Sequence, residues 1–138
     1  MSEQLSTYAI GEPGPMRDRL VQSVLAGRKT ATSWLQVFYD MEGIPLPRPG
    51  DRFRLIDSAA SAVGVVETIR ADVVRFADVG DEVAQAEGQG FTNHDDWQAA
   101  HLAYWDRFRD EVRAYLRDPS WSIDDDTPVV VERFRNVA

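Results

Sequence analysis

The 138-residue chain contains no cysteine. That excludes disulfides, thiolate metal sites, iron–sulfur clusters and a cysteine nucleophile, and it fits an intracellular protein. Apolar runs are only a few residues long, so nothing reads as a membrane-spanning helix. The start, MSEQLSTYAIGEPGP, lacks the basic residues and apolar block of a secretory leader. A cytoplasmic protein without a membrane partner is the expectation. Excess positive charge is missing too. The net charge is −8, and all of it lies in residues 76–138, with six basic and fourteen acidic side chains against nine of each in residues 1–75. Such a chain is a poor non-specific binder of phosphate backbones, which excludes duplex DNA and leaves a nucleic-acid ligand only a local basic pocket. Lysine is nearly absent: fourteen of the fifteen basic residues are arginine, and Lys29 stands alone in GRKTATSW.

What is present reads as one domain over 1–138, large enough to bury a core. An apolar stripe at Met16, Leu20, Val21, Val24 and Leu25 predicts a helix over 16–26, with Gly27 at a left-handed C-cap. A second short helix is expected over 33–42, ending at Gly43. The proline-rich PLPRPGD then leads into a hairpin, RFRLID (52–57) and AVGVVETIRADVVRF (62–76), bent at Gly64 or near Ala71. Asp78 is placed as the cap of a short helix that contains Val83, Ala84 and Glu87 and stops at Gly88. Thr92 and Asp95 open a longer helix whose apolar face is Trp97, Ala100, His101, Tyr104, Trp105, Phe108 and Val112. TPVVVERFRNV (127–137) is a strand that can pair back onto an early one. The order predicts an α+β fold, with a small barrel as its natural closure.

Several residues carry candidate chemistry. An arginine cannot lose its proton at useful pH, whereas a desolvated lysine can and then serves as a base. A neutral Lys29 could activate the hydroxyl of Thr32 or Thr30, with Arg28 adding positive potential. Against this stand a codon bias towards arginine and an ordinary loop lysine facing phosphate or solvent. Glu87, in AQAEGQG, could orient a lysine or accept a proton; a solvated helix-end glutamate is the plainer reading. Trp34 and Tyr39 could stack on a base or form the apolar face of the second helix. Arg133 and Arg135 share a strand face and would recognise an anion if they point inward. His94 and His101 are seven residues apart, about 10 Å along a helix, too far to share one metal ion. His101 is expected to pack beside Trp97 and Trp105 or to touch a ligand. No cofactor is called for.

Three segments, in this order and spacing, resemble the ASCH family of small barrels related to PUA domains: GRKTATSW with GIPLPRPGD, VAQAEGQGFTNHDDWQAAH, and TPVVVERFRNV. The likeness spans residues 10–137. It implies a five- or six-stranded β-barrel with flanking helices and a cleft, acting on a modified nucleoside or single-stranded RNA held in that cleft. Short members resemble amidohydrolases of N4-acetylcytidine with a Thr–Lys–Glu set; others act as ribonucleases or RNA-binding regulators. Carried onto this sequence, the implied catalytic set is Lys29, Thr32 and Glu87, with Arg28, Thr30, Trp34, Tyr39, His101 and Arg133 available to the substrate. A non-catalytic nucleotide sensor and a homodimer are compatible with the same residues. The chain departs from the short members in its proline-rich connection and its W-x3-H helix.

Overall fold

A computed structural model describes residues 5–137; residues 1–4, where the segment read for a leader begins, and residue 138 lie outside it. Five strands form one sheet: β1 (Ser6–Tyr8), β2 (Ala31–Leu35), β3 (Arg52–Ile56), β4 (Ala62–Arg75) and β5 (Pro128–Asn136). The helices are α1 (Pro15–Leu25), α2 (Gln36–Glu42), α3 (Asp81–Ala86), α4 (His94–Trp105) and α5 (Arg109–Leu116). The strand order is β1-β3-β4-β5-β2, with only the β1–β3 pair parallel. The last strand does return to an early one, since β5 lies between β4 and β2.

β4 organises the sheet because it is long enough to pair with both β3 and β5. It bends where its register slips. Val63, beside Gly64, has no partner on β3, and Ile69 has none on β5. Each extra residue increases the local twist. The resulting curl is strong enough for Tyr8 on β1 to donate a 2.6 Å hydrogen bond to Glu132 on β5.

The α+β class and the five strands match the expectation; full closure does not. Among the described residues β1 and β2 remain the two edges of an open sheet. The outer edge of β2 is approached instead by the end of α3, where the Thr30 N–H donates to the Ala86 carbonyl at 2.8 Å. β1, three residues long, pairs only with β3. Neighbouring β5 residues face opposite sides: Val129 and Val131 pack with Leu35, Trp97 and Trp105, and Phe134 packs with Leu20 and Val24 of α1.

Other boundaries shift for local reasons. Residues 33–35 are strand rather than helix, because Ala31, Ser33 and Leu35 alternate inward and pair with β5. The expected long helix is α4, a 3₁₀ turn over Asp106–Phe108, and α5, and Ala100 is exposed rather than on the apolar face. Asp78 ends a separate 3₁₀ turn, and α3 starts after Gly80. No helix among the described residues is long and apolar enough to cross a membrane.

α4 is capped one residue later than the motif suggests. Asn93 Oδ1 accepts the Asp96 N–H at 2.9 Å. Asn93→Ala removes that acceptor and should lower stability by about 1 kcal/mol in urea unfolding, with Asn93→Asp close to wild type.

Candidate functional site

The site begins where α1 stops. Gly27, at φ +77°, reverses the chain, and the Arg28 and Lys29 N–H groups both donate to the Ser23 carbonyl. This turn leaves Arg28 exposed and sends the Lys29 side chain inward, to 2% exposure. There Nζ donates to the carbonyls of Ala31 (2.9 Å) and Glu87 (3.3 Å). Glu87 arrives from the end of α3, and the next residue, Gly88, adopts φ +67°. Gly88 is pressed against the same turn: its carbonyl accepts from Ser23 Oγ at 2.9 Å. A Cβ there would stand 2.6 to 2.8 Å from Ser23 Oγ, Lys29 N and Arg28 C. Only glycine permits both this conformation and this approach.

The Glu87 carboxylate, 1% exposed, faces four donors. Oε2 accepts from Ser33 Oγ at 2.6 Å and from the Trp97 indole N–H. Oε1 lies 3.3 Å from His101 Nε2 and 3.7 Å from Lys29 Nζ. Burial by itself would raise its proton affinity; His101, Lys29 and Ser33 together outweigh burial and hold Glu87 below the usual carboxylate value. Lys29 moves downward from 10.5, because burial penalises the ammonium and Glu87 restores only part of the loss. The pair is therefore an ionised carboxylate beside an amine that gives up its proton more readily than usual.

The implied triad is brought together only in part. Lys29 and Glu87 meet, but Thr32 lies on the other face of β2, and the residue that reaches Glu87 is Ser33. Thr32 is half-buried and sits opposite Glu132 in the β2–β5 register. The link between Thr32 and Lys29 is through the backbone, since Nζ binds the carbonyl of the Ala31–Thr32 peptide. Thr30 is exposed. Trp34 is half-buried and packs edge-on against Tyr39, with ring centroids 4.8 Å apart. His101 does pack beside Trp97 and Trp105. His94 points elsewhere, its Nδ1 against the Val79 carbonyl at 2.5 Å. Arg133 pairs with exposed Glu82 at 3.0 Å, and Arg135 pairs with Glu67. Both arginines line a groove of about 390 Å³ together with Lys29, Thr30 and Ile69, so three of the residues expected at the site, Lys29, Thr30 and Arg133, border one opening that Thr32 and Glu87 do not reach.

A family model described as "ASCH domain" matches residues 6–138, nearly the whole chain. The chain belongs to the ASCH domain family. Two solved structures share the fold. A protein from Enterococcus faecalis V583 superposes with a TM-score of 0.77 at 26% identity, covering 96% of this chain and 76% of that one. An ASCH domain from Lactobacillus crispatus JV V101 gives 0.81 at 20% identity, covering 95% and 78%. No curated protein matches in sequence.

This ASCH domain holds a second buried carboxylate that the sequence reading passed over. Glu132, in the middle of VVVERF, is 2% exposed and accepts from Tyr8 Oη (2.6 Å) and Thr68 Oγ1 (2.7 Å). A glutamate inside an apolar strand was the available signal. Among the described residues no cation pairs with it. Burial raises its proton affinity, and the two hydroxyls reverse this only partly. Burial and Glu132 likewise push Tyr8 well above the ordinary tyrosine value. Ser33 and Trp97 were missed as partners of Glu87 because their convergence is long-range.

Two tests follow from this geometry. Gly88→Ala should cost at least about 2 kcal/mol in urea unfolding, since a strained φ and a backbone clash act together. For Glu132 the folded-state pKa exceeds the unfolded one, so its favourable contribution is complete below the unfolded value and fades as pH rises through the folded one. Glu132→Gln cannot ionise and keeps partners for both hydroxyls. Its melting temperature relative to wild type should therefore be higher at about pH 8 than at about pH 4. An unchanged difference would sink the assignment.

Proposed function

We propose that this ASCH domain hydrolyses the amide of an acylated nucleoside of the N4-acetylcytidine kind, with Thr32 as nucleophile, Lys29 as proton acceptor and Glu87 orienting the amine. One observation carries the reading: the only lysine of the chain is buried beside a carboxylate, where burial loosens its hold on its proton. Burying an ion pair costs several kcal/mol of desolvation, and apolar residues of similar volume are often as stable, so such a pair in this position points to chemistry.

In the reaction Thr32 Oγ1 attacks the acyl carbonyl carbon while Lys29 takes the hydroxyl proton. The tetrahedral intermediate collapses, the C–N bond breaks, and the lysine returns the proton to the departing amine. Water then attacks the acyl-threonine ester; Lys29 takes a proton from it and passes that proton to Thr32 Oγ1 as the acyl C–O bond breaks, releasing the acid and restoring the Thr32 hydroxyl and the neutral amine. For this the amine must leave the Ala31 carbonyl and turn to the Thr32 face. The substrate occupies the open side of the sheet between β1 and β2, where Tyr8, Thr32 and Trp34 are all half-buried.

A second reading rests on a different observation. Lys29 and Glu87 are closed off from solvent, and no hydrogen bond joins Thr32 to Lys29. A binding module that holds a nucleoside or single-stranded RNA in the same opening would use the pair only as scaffold.

Hydrolysis of N4-acetylcytidine by purified variants separates the two. The enzyme reading expects Thr32→Ala to lose at least about 10²-fold in kcat and Thr32→Ser to retain measurable turnover. Lys29→Arg, folded by circular dichroism, should be inactive, because the guanidinium keeps its proton. Wild-type activity should rise with pH through a midpoint below the ordinary lysine value. Turnover by Lys29→Arg equal to wild type would end the proton-acceptor role of Lys29, and ligand binding without any turnover in the native protein would establish the binding module instead.

A further inference from the structure

His101 is the most solvent-accessible of the ionisable groups around Glu87, and its ring is held by contacts that all ask for the same protonation state. Its Nδ1 lies 2.8 Å from the Trp97 carbonyl, an acceptor only, so this nitrogen must carry a proton. Its Nε2 lies 3.3 Å from Glu87 Oε1, which is also an acceptor when ionised. A neutral imidazole has one N–H and would turn a lone pair towards one of these oxygens. The ring stacks on the Trp97 indole, with centroids 4.5 Å apart at 21°, and an indole face attracts a cation.

The Lys29 amine shows the complementary pattern. It has two carbonyl acceptors within hydrogen-bonding distance, and the third contact, to Glu87 Oε1, is 3.7 Å long. Two acceptors satisfy both N–H bonds of an –NH2 group, and the carboxylate stands beyond hydrogen-bonding distance of the third position on the amine. The groups facing Glu87 are Lys29 from the α1–β2 connection, Ser33 from β2, and Trp97 and His101 from α4. Tyr8 of β1 lies within electrostatic range, but it is neutral. The carboxylate therefore has two candidate counter-cations, and the nearer one is the histidine.

We propose that His101 is held as an imidazolium that neutralises Glu87, and that this positioning residue thereby keeps Lys29 in its neutral, proton-accepting form. The proposal deepens the hydrolase reading, which it uses only for the purpose of a neutral Lys29. It also explains the W-x3-H motif physically, because Trp97 supplies a carboxylate donor, a carbonyl acceptor and a π-face, all of which orient His101.

A single lysine makes the test direct. Protein labelled with 13Cε-lysine gives one side-chain signal, whose shift follows the charge of Lys29 through a pH titration. In His101→Gln the counter-cation is gone while a donor to Glu87 remains. The Lys29 midpoint should rise by about one pH unit or more, the size of a nearby like charge removed. An unchanged or lowered midpoint in the folded variant overturns the proposal. Should that variant fail to fold, 15N shifts of the wild-type His101 ring decide alone. Two protonated nitrogens at neutral pH support the proposal, and a neutral ring with one N–H overturns it. Because neither measurement uses turnover, they distinguish failure of the charge arrangement from failure of the hydrolase reading. If both hold, the acidic limb of the wild-type pH–rate profile shifts upward in His101→Gln by the same interval as the lysine signal.

Discussion

The Glu87 carboxylate ties together elements that the chain places far apart. Its four partners come from the turn after α1, from β2 and from two positions on α4, while the residue itself ends α3. Stripping water from a carboxylate costs several kcal/mol, and only a full set of donors offsets that cost. The local geometry is therefore close to all-or-none. Loss of one donor weakens the hold on the charge and leaves the other elements gathered around a poorly satisfied anion. Gly88 serves the same constraint from the backbone side, since any larger residue would push the Glu87 turn away from Lys29.

The two buried glutamates show how partners, not burial, set the chemistry of a carboxyl group. Both are almost inaccessible. Glu87 has a lysine and a histidine beside it and is driven towards ionisation; Glu132 has two hydroxyls and is driven towards protonation. They lie on opposite faces of the β2–β5 pair, because Ser33 and Thr32 are successive residues of one strand. Environments that push two like groups apart in proton affinity are a recurrent way of dividing acid and base roles within one site. Here a neutral-leaning carboxyl and a neutral-leaning amine flank the strand that carries Thr32.

Much of this was legible in the sequence where the signal was local. The solitary Lys29, the helix-ending Gly27 and the glycines after Glu87 marked both halves of the buried pair, and the hairpin and final strand were readable from alternation. The meeting of Lys29 with Glu87 was not local: only the family resemblance joined positions 58 residues apart. Spacing could not reveal that Ser33, rather than Thr32, faces Glu87, because residues 33–35 of that strand read as the start of a helix. Glu132 was hidden for a related reason. Its partners, Tyr8 and Thr68, reach it only once the sheet has curled.

The open sheet and the buried pair have a common origin. A strand edge needs partners for its N–H groups. At the start of β2 one such partner is the Ala86 carbonyl at the end of α3, not a residue of β1. The next residue is Glu87, so the hydrogen bond that occupies the edge also delivers the carboxylate to Lys29. Closing the barrel with a fifth pairing, β1 to β2, would require α3 to move off β2, and would take Glu87 with it. The opening beside Thr32 and the charge network behind it are thus two consequences of one contact.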